Sequence, residues 1–490
     1  MVRSLARWLI AAAGSVLLGL ALIAAGLYWH FLRSGPQPAP WHEVPLADFT
    51  AGQAATVRTL DDYLGLEQRL FAELQQRIYD AGTPADRIFI NRYHAGSRSD
   101  PNVWPVNWNR TFRLAAAPGA PPRGVALLLH GLTDSPYSLR TIGEHLAARG
   151  IEVVGLRLPG HGTAPSGLLS FRIEDMQAAV RLAARDLHAR GAPGRPLYLV
   201  GYSNGAALAV DYTLAALDDA ALPMPAGLVL ISPAIGISKA AVVGRIKTGL
   251  SSLPGFGRAA WEVIGTEFDP FKYTSFSFHA AGETFRLTRG LARDIERRAD
   301  GRPLHGFPPV IAFLSTVDST VKAEAVTDTL LDHLAPGGHE LVLFDVNRHA
   351  DVQPLLVTDP GPLTHRLRSR PQRTYALTVI TNASPETLQV MELRSPAGSG
   401  QASRRVLDLA WPRMTFSLSH VALPFPPDDP LYGYEAVAAT NHVQLGTIAV
   451  RGENGVLTVP TWVLTRQRSN PFHAYLTERL DGFLDSAGTH

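Results

Sequence analysis

Leu197-Tyr-Leu-Val-Gly-Tyr-Ser-Asn-Gly-Ala-Ala-Leu-Ala-Val210 decides how this chain is read. An apolar run of strand character meets a Gly-x-Ser-x-Gly turn, and a helix of small residues follows at once. That order is a nucleophile elbow, and it makes Ser203 the candidate covalent catalyst. A serine hydroxyl is a weak nucleophile alone; it needs a base beside it and donors facing the developing oxyanion. Gly201 and Gly205 remove the side chains that would collide where the strand folds back into the helix. The helix then starts behind Ser203, so its free N–H groups and positive dipole end face the same place.

Upstream, Val125–Leu129 is a continuous apolar run, as expected of a strand covered on both faces. His130-Gly131-Leu132-Thr133 follows, then a helix through Leu146, a strand over Ile151–Leu156 and the loop Leu158-Pro-Gly-His-Gly-Thr. A helix is expected over about 173–190, ahead of the elbow strand and its helix, and Leu228–Ile231 is the next strand. Alternation of this kind builds a mostly parallel sheet wrapped by helices. Residues 234–300 interrupt it with Phe256, Trp261, Phe268, Phe271, Tyr273, Phe276, Phe278 and Phe285 and no clear strand. They read as a helical cap over the site. Its aromatics either line an acyl pocket or form the cap's own small core. The sheet resumes at Pro309–Leu314, followed by a helix over Ala323–Leu334, a strand over Glu340–Phe344 and an insertion at about 350–410. Within that insertion, Tyr375–Thr381 and Leu388–Leu393 alternate like two strands. Asn470–Asp485 is the closing helix.

The chain has 490 residues, a formal net charge of +2 and no cysteine. Disulfides, thiolate metal sites and thiol catalysis are thereby excluded. No basic run with interleaved aromatics suggests nucleic acid. No His-Glu-x-x-His, phosphate loop or dinucleotide fingerprint is present, so no metal or cofactor is expected.

The N-terminal 33 residues are of another kind. Arg3 and Arg7 precede a run from Trp8 to Leu32 without acid or base except His30, long enough to cross a bilayer. It ends in Tyr28-Trp29-His30-Phe31, like an interfacial aromatic belt, and the arginines before it place the remainder outside. A single-pass anchor in a bacterial-type inner membrane, with the catalytic domain on the periplasmic side, is the expectation. A cleaved signal or a buried helix are the alternatives. Residues 34–43 read as a Pro-rich linker and 44–110 as an extension packed on the core. The hydrolytic domain is expected over 111–490. Within the extension, residues 60–79 set Leu60, Tyr63, Leu64, Leu70, Phe71, Leu74 and Ile78 on one helical stripe. Arg87–His94 and Asn109–Ala116 resemble the first strands.

The chain order nucleophile, acid, histidine then selects partners for Ser203. Asp318 follows the strand after the cap, where it accepts an imidazole Nδ1–H or merely shapes a turn. Two histidines compete. His349 lies about thirty residues beyond Asp318, just after a strand. His420, in Phe416-Ser-Leu-Ser-His-Val, sits where a strand end runs into a Pro-stiffened loop. The oxyanion donors are expected to be the amides of Asn204, next to the nucleophile, and Leu132, in the turn after the first buried parallel strand. His130 and His161 read as loop-shaping residues.

From Val125 onward the chain resembles the serine aminopeptidase and lysophospholipase-like branch of the α/β-hydrolases. The motifs that carry the resemblance are His130-Gly-Leu-Thr-Asp-Ser-Pro, Leu158-Pro-Gly-His-Gly, Gly201-Tyr-Ser-Asn-Gly, Asp318 and Ser419-His-Val. In carboxylesterases and monoglyceride lipases of this type the catalytic histidine stands in a Ser-His-Val context near the C-terminus. The resemblance therefore implies Ser203, Asp318 and His420, with His349 as runner-up base. The 350–410 insertion departs from the family pattern. The expected activity is a membrane-anchored serine hydrolase of carboxylic esters, acyl or lipid-like. A peptidase, an amidase or an acyltransferase would use the same triad, and a non-catalytic binding protein would use the same scaffold.

Overall fold

Strands covered on both faces set the architecture. The structure, a computed structural model, describes residues 2–34, 36–191, 194–235, 257–370, 372–413, 415–435, 441–446, 453, 456–457 and 466–488. Its strands are β1 (Phe112–Leu114), β2 (Gly124–Leu129), β3 (Ile151–Leu156), β4 (Leu197–Tyr202), β5 (Gly227–Ile231), β6 (Trp261–Val263), β7 (Phe276–Ser277), β8 (Val310–Ser315), β9 (His339–Phe344), β10 (Tyr375–Asn382), β11 (Gln389–Ser395) and β12 (Ser403–Ala410). Ten of them form one sheet in the order β1-β3-β2-β4-β5-β8-β9-β10-β11-β12. Neighbours from β3 to β10 run parallel, while β1, β11 and β12 are antiparallel additions at the two edges.

Alternation along each strand divides the core. Val125, Leu127 and Leu129 of β2 point into one layer, Ala126 and Leu128 into the other. Two early helices precede this sheet, α1 (Val2–Ser34) and α2 (Pro40–Glu43). The first layer is covered by α3 (Leu60–Leu74), α5 (Ile173–Arg190) and α6 (Asn204–Ala216); the second by α4 (Arg140–Ala148) and the helix His473–Ala487. Within α6, Ala206, Ala207 and Ala209 are fully buried, and their small side chains let the helix lie close against the strands.

Several sequence expectations need correction. Residues 87–94 are turns, because Asn91 and Ser97 bond back onto the local backbone instead of offering a ladder. The expected cap falls partly on 236–256, including Phe256, which lie outside the described residues. Beyond them come the short β6–β7 ribbon and a long helix, Phe278–Ala299. That helix packs against α5 and α6 and buries Leu287, Leu291 and Ile295 in the main core, so it is an outer-layer helix and not a lid. Trp261 and Phe271 sit in small local cores, whereas Phe268 and Tyr273 line a cavity. Where the sequence suggested two strands in the 350–410 insertion there are three, and β10 belongs to the parallel sheet itself. The linker residues 40–43 form α2.

The predicted anchor segment is one helix, α1. Among the described residues, no helix is long and apolar enough to cross a membrane.

Candidate active site

β4 delivers Ser203 to the carboxyl edge of the sheet, where the chain reverses into α6. The reversal holds Ser203 at φ 53° and ψ −115°, a backbone state that L residues avoid. Four backbone hydrogen bonds fix it. The Ser203 N–H donates to Ile231 O (2.9 Å), and its carbonyl accepts from Ala206 (3.1 Å), Ala207 (3.3 Å) and Ala234 (3.0 Å). Gly205 is required here, because a Cβ would lie 1.9 Å from Leu129 O. Ser203 is left partly accessible at the tip of the turn.

Of the two candidate histidines, the structure brings His420 to Ser203. His420 Nε2 lies 3.0 Å from Ser203 Oγ, and His420 Nδ1 lies 2.8 Å from Asp318 Oδ2. A carboxylate only accepts, so Nδ1 carries the ring proton and Nε2 is free to accept the serine hydroxyl. Both readings of Asp318 hold at once. Its Oδ1 shapes the turn by accepting from Thr320 N (2.7 Å) and Val321 N (2.8 Å), while its Oδ2 faces the imidazole.

His349 is elsewhere. Its Nδ1 accepts from Asp351 N at 3.3 Å, in a loop beyond β9. The reason lies in the returning chain. Asn347 donates from its backbone to Phe416 O (2.8 Å) and from Nδ2 to Thr415 O (3.0 Å). The segment arriving from β12 thus lies beside the exit of β9 and brings His420 to the edge at which His349 was expected.

A carboxylate that no motif reveals joins these loops. Glu453, buried, accepts from the His420 backbone N–H at 2.7 Å and from Ser319 Oγ–H at 2.6 Å. It therefore ties the residue after Asp318 to His420 itself. In sequence it is a lone acid in Arg451-Gly-Glu-Asn-Gly, and nothing local marks it.

On the other side of Ser203, the turn after β2 comes within contact. A Cβ on Gly131 would lie 3.2 Å from Ser203 Cβ and 2.7 Å from Asp134 Oδ2, so only glycine permits this approach. His130 braces the turn. Its Nε2 accepts from Leu158 N (3.0 Å), which leaves Nδ1–H to donate to Gly131 O (2.9 Å). Burial, reinforced by the neighbouring His161, holds the His130 ring well below its ordinary pKa, so it is neutral. His161 is likewise buried, with Nδ1 bonded to Pro159 O at 3.0 Å. Neither ring contacts Ser203. The amides of Leu132 and Asn204 have no acceptor among the described residues, which leaves both N–H groups available to an oxyanion.

Next to Tyr202 and Val421, the chain neighbours of Ser203 and His420, lies a cavity of about 360 Å³. Lys272, Arg466, Arg468, Asp134, Asp269 and Tyr432 contribute to its wall. They come from four separate segments of the chain, so no local sequence pattern joins them.

The family described as serine aminopeptidase, S33, matches residues 120–269, which include the elbow and the 130–133 turn but neither Asp318 nor His420. No curated protein matches the chain. Similar solved structures include a metagenome-derived lipolytic enzyme, with 20% identity, covering 49% of this chain and 88% of the other, at a TM-score of 0.37. The monoglyceride lipase of Saccharomyces cerevisiae is 16% identical, with coverage of 48% and 82% and a TM-score of 0.38. The monoacylglycerol lipase of Paleococcus ferrophilus is 19% identical, with coverage of 48% and 88% and a TM-score of 0.36. The fold, the strand order and the matched segment are those of an α/β-hydrolase.

Proposed function

We propose that this α/β-hydrolase is a serine hydrolase that cleaves carboxylic esters through an acyl-enzyme. The observation that carries the reading is the relay from Ser203 Oγ through His420, with contacts of 3.0 and 2.8 Å, to Asp318. As Ser203 Oγ attacks the carbonyl carbon, His420 Nε2 takes the hydroxyl proton. Asp318 keeps the ring in the required tautomer and stabilises the imidazolium. The amides of Leu132 and Asn204 hold the tetrahedral oxyanion. Collapse breaks the ester C–O bond, and the leaving alkoxide departs with the proton from His420. Water, deprotonated by the same nitrogen, then attacks the acyl carbon and releases Ser203.

A peptidase would run the same steps. An aminopeptidase also has to hold a cationic α-amino group, which calls for an unengaged carboxylate near Ser203. The acids of the neighbouring cavity are occupied instead: Asp134 by Lys272 at 2.7 Å, Asp269 by the Tyr432 hydroxyl at 2.7 Å. This favours ester substrates.

The reading includes an anchor. α1 carries Val16, Leu17, Leu18, Leu20, Leu22 and Ile23 exposed around its circumference, a surface that suits lipid better than water. With Arg3 and Arg7 before it, the catalytic domain faces away from the cytoplasm. The full chain is expected in a membrane pellet that resists a salt wash, and a chain lacking residues 1–35 in the supernatant; equal partition of both would remove the anchor.

The decisive experiment is covalent. A fluorophosphonate probe is expected to label the wild type and not Ser203→Ala; labelling that survives the substitution overturns the nucleophile. Turnover of short 4-nitrophenyl esters against aminoacyl anilides tests the bond. Faster cleavage of the anilides moves the assignment to peptidase.

A further inference from the structure

The cavity beside Ser203 has charges of unequal exposure. The carboxylates are the more buried charges: Asp134 and Asp269 of the wall, and Glu453 paired with Arg466, have side chains 7%, 2% and 0% exposed. The cations are less buried, with Lys272, Arg466 and Arg468 at 29%, 36% and 29%. Each acid is largely consumed by the protein. Asp269 Oδ1 accepts from Phe271 N (3.0 Å), Lys272 N (3.1 Å) and the Tyr432 hydroxyl (2.9 Å). Glu453 serves His420 and Ser319.

The two guanidiniums are accordingly held loosely. Arg468 Nη1 is 3.7 Å from Asp269 Oδ2 and Arg466 Nη2 is 3.6 Å from Glu453 Oε2. Both distances exceed the 2.7–2.9 Å typical of a charge-assisted hydrogen bond. Arg466 spends one donor on Ser319 Oγ at 3.0 Å, and Arg468 lies over the Tyr432 ring. A guanidinium has five N–H donors, and among the described residues Arg466 spends one of them in a hydrogen bond and Arg468 none. Among the described residues the more exposed charges of the wall are the cations, and they stand beside the apolar faces of Phe268, Val421 and Phe425.

We propose that this cavity binds an oxyanionic group, a carboxylate or a phosphate monoester, carried by the substrate that Ser203 attacks. The inference rests on the esterase reading and narrows it from neutral lipid esters to esters bearing a negative charge. Arg468 is the specificity residue, since its side chain has the weakest commitments to the protein.

The test compares pairs of esters that differ by the anion. One pair is 4-nitrophenyl butyrate and the 4-nitrophenyl hemiester of glutarate; the other is the butyrate ester of glycerol and that of glycerol 3-phosphate. The wild type is expected to favour the charged member by about tenfold in kcat/KM. A preference in the first pair alone identifies a carboxylate on the acyl side, and in the second alone a phosphate on the alcohol side. Arg468→Glu is expected to abolish the preference, and Arg468→Lys to restore part of it. A wild-type preference near one, or one that survives Arg468→Glu, overturns the proposal. Calorimetric binding of glutarate and glycerol 3-phosphate to Ser203→Ala reads the cavity without turnover. Binding that Arg468→Glu removes upholds the anion site even if every ester proves inert, an outcome that would instead sink the esterase reading. Absence of binding of both anions overturns the site.

Discussion

His420 owes its position to side chains far from it in sequence. Its ring meets Asp318, but its backbone is pinned by Glu453, which also accepts from Ser319. If that clamp sets the angle of the imidazole, Glu453→Gln retains an acceptor for the His420 amide and keeps most activity, whereas Glu453→Ala lowers kcat by about 10–100-fold with little change in KM. Equal loss in both variants would point to charge rather than positioning. His420→Ala is expected to reduce kcat by about three to four orders of magnitude, and His349→Ala to leave it near wild type; steady-state kinetics on one ester decides between them. Ser203 and Asp318 were legible as candidates because each sits in a stereotyped turn after an apolar strand. The histidine was legible only from its Ser-His-Val context, since interval alone favoured His349. Glu453 could not be read at all: its role depends on a fold-back that brings residues 318, 420 and 453 together, and no periodicity encodes that.

At the scale of elements, one buried cation docks the N-terminal extension. Arg157, at the exit of β3, is fully buried and reaches Asp48 at 2.7 and 2.9 Å and Glu67 of α3 at 3.1 Å. Its Nη1 also donates to the His161 carbonyl at 3.0 Å. The same arginine thus fixes α3 on the core and shapes the loop carrying His161. Replacing Arg157 with Met leaves two carboxylates without their partner and should cost about 3–5 kcal/mol. Denaturant titration of the wild type and Arg157→Met would measure it, and a loss under about 1 kcal/mol would contradict the docking role. Of the elements that were readable in sequence, β2 and the elbow strand are continuous apolar runs bounded by turns, and α3 carries a 3.6-fold apolar stripe. The strand that was missed shows neither. β12 is a mostly exposed edge strand with Arg404, Arg405 and Asp408 facing out, charges that keep a free edge from pairing and also hide it from a pattern search. Residues 234–300 read as a helical cap on the strength of their aromatics, most of which precede the helix Phe278–Ala299, whose Leu287, Leu291 and Ile295 stripe meets the core.

For the molecule as a whole, buried imidazoles set the response to acid. Burial lowers His42, His161 and His473 from 6.5 to about 4, so all three are neutral in the folded state at pH 5. The unfolded chain binds these protons from about pH 6.5 downward. Between 6.5 and 4 the unfolded state therefore holds more protons than the native one, and stability falls with pH. The contribution is complete above 6.5 and lost as the pH drops through 4, about 3 kcal/mol for each ring. Asp211 acts in the opposite sense, since burial raises its carboxyl to about 6 and the native state takes up a proton before the unfolded chain does. Burial adds His130 to the lowered rings and Asp134 and Glu267 to the raised carboxyls, and the loss from the rings alone is comparable with the whole stability of an ordinary domain, about 5–15 kcal/mol. Urea midpoints measured at pH 7, 6, 5 and 4 should decline most steeply below 6.5. His161→Gln, which can still donate to Pro159 O but does not titrate, should flatten part of that decline. A midpoint constant from pH 7 to pH 4 would mean that these rings are already protonated in the native protein, and the interior around them would have to be more polar than the packing of His42, His161 and His473 allows.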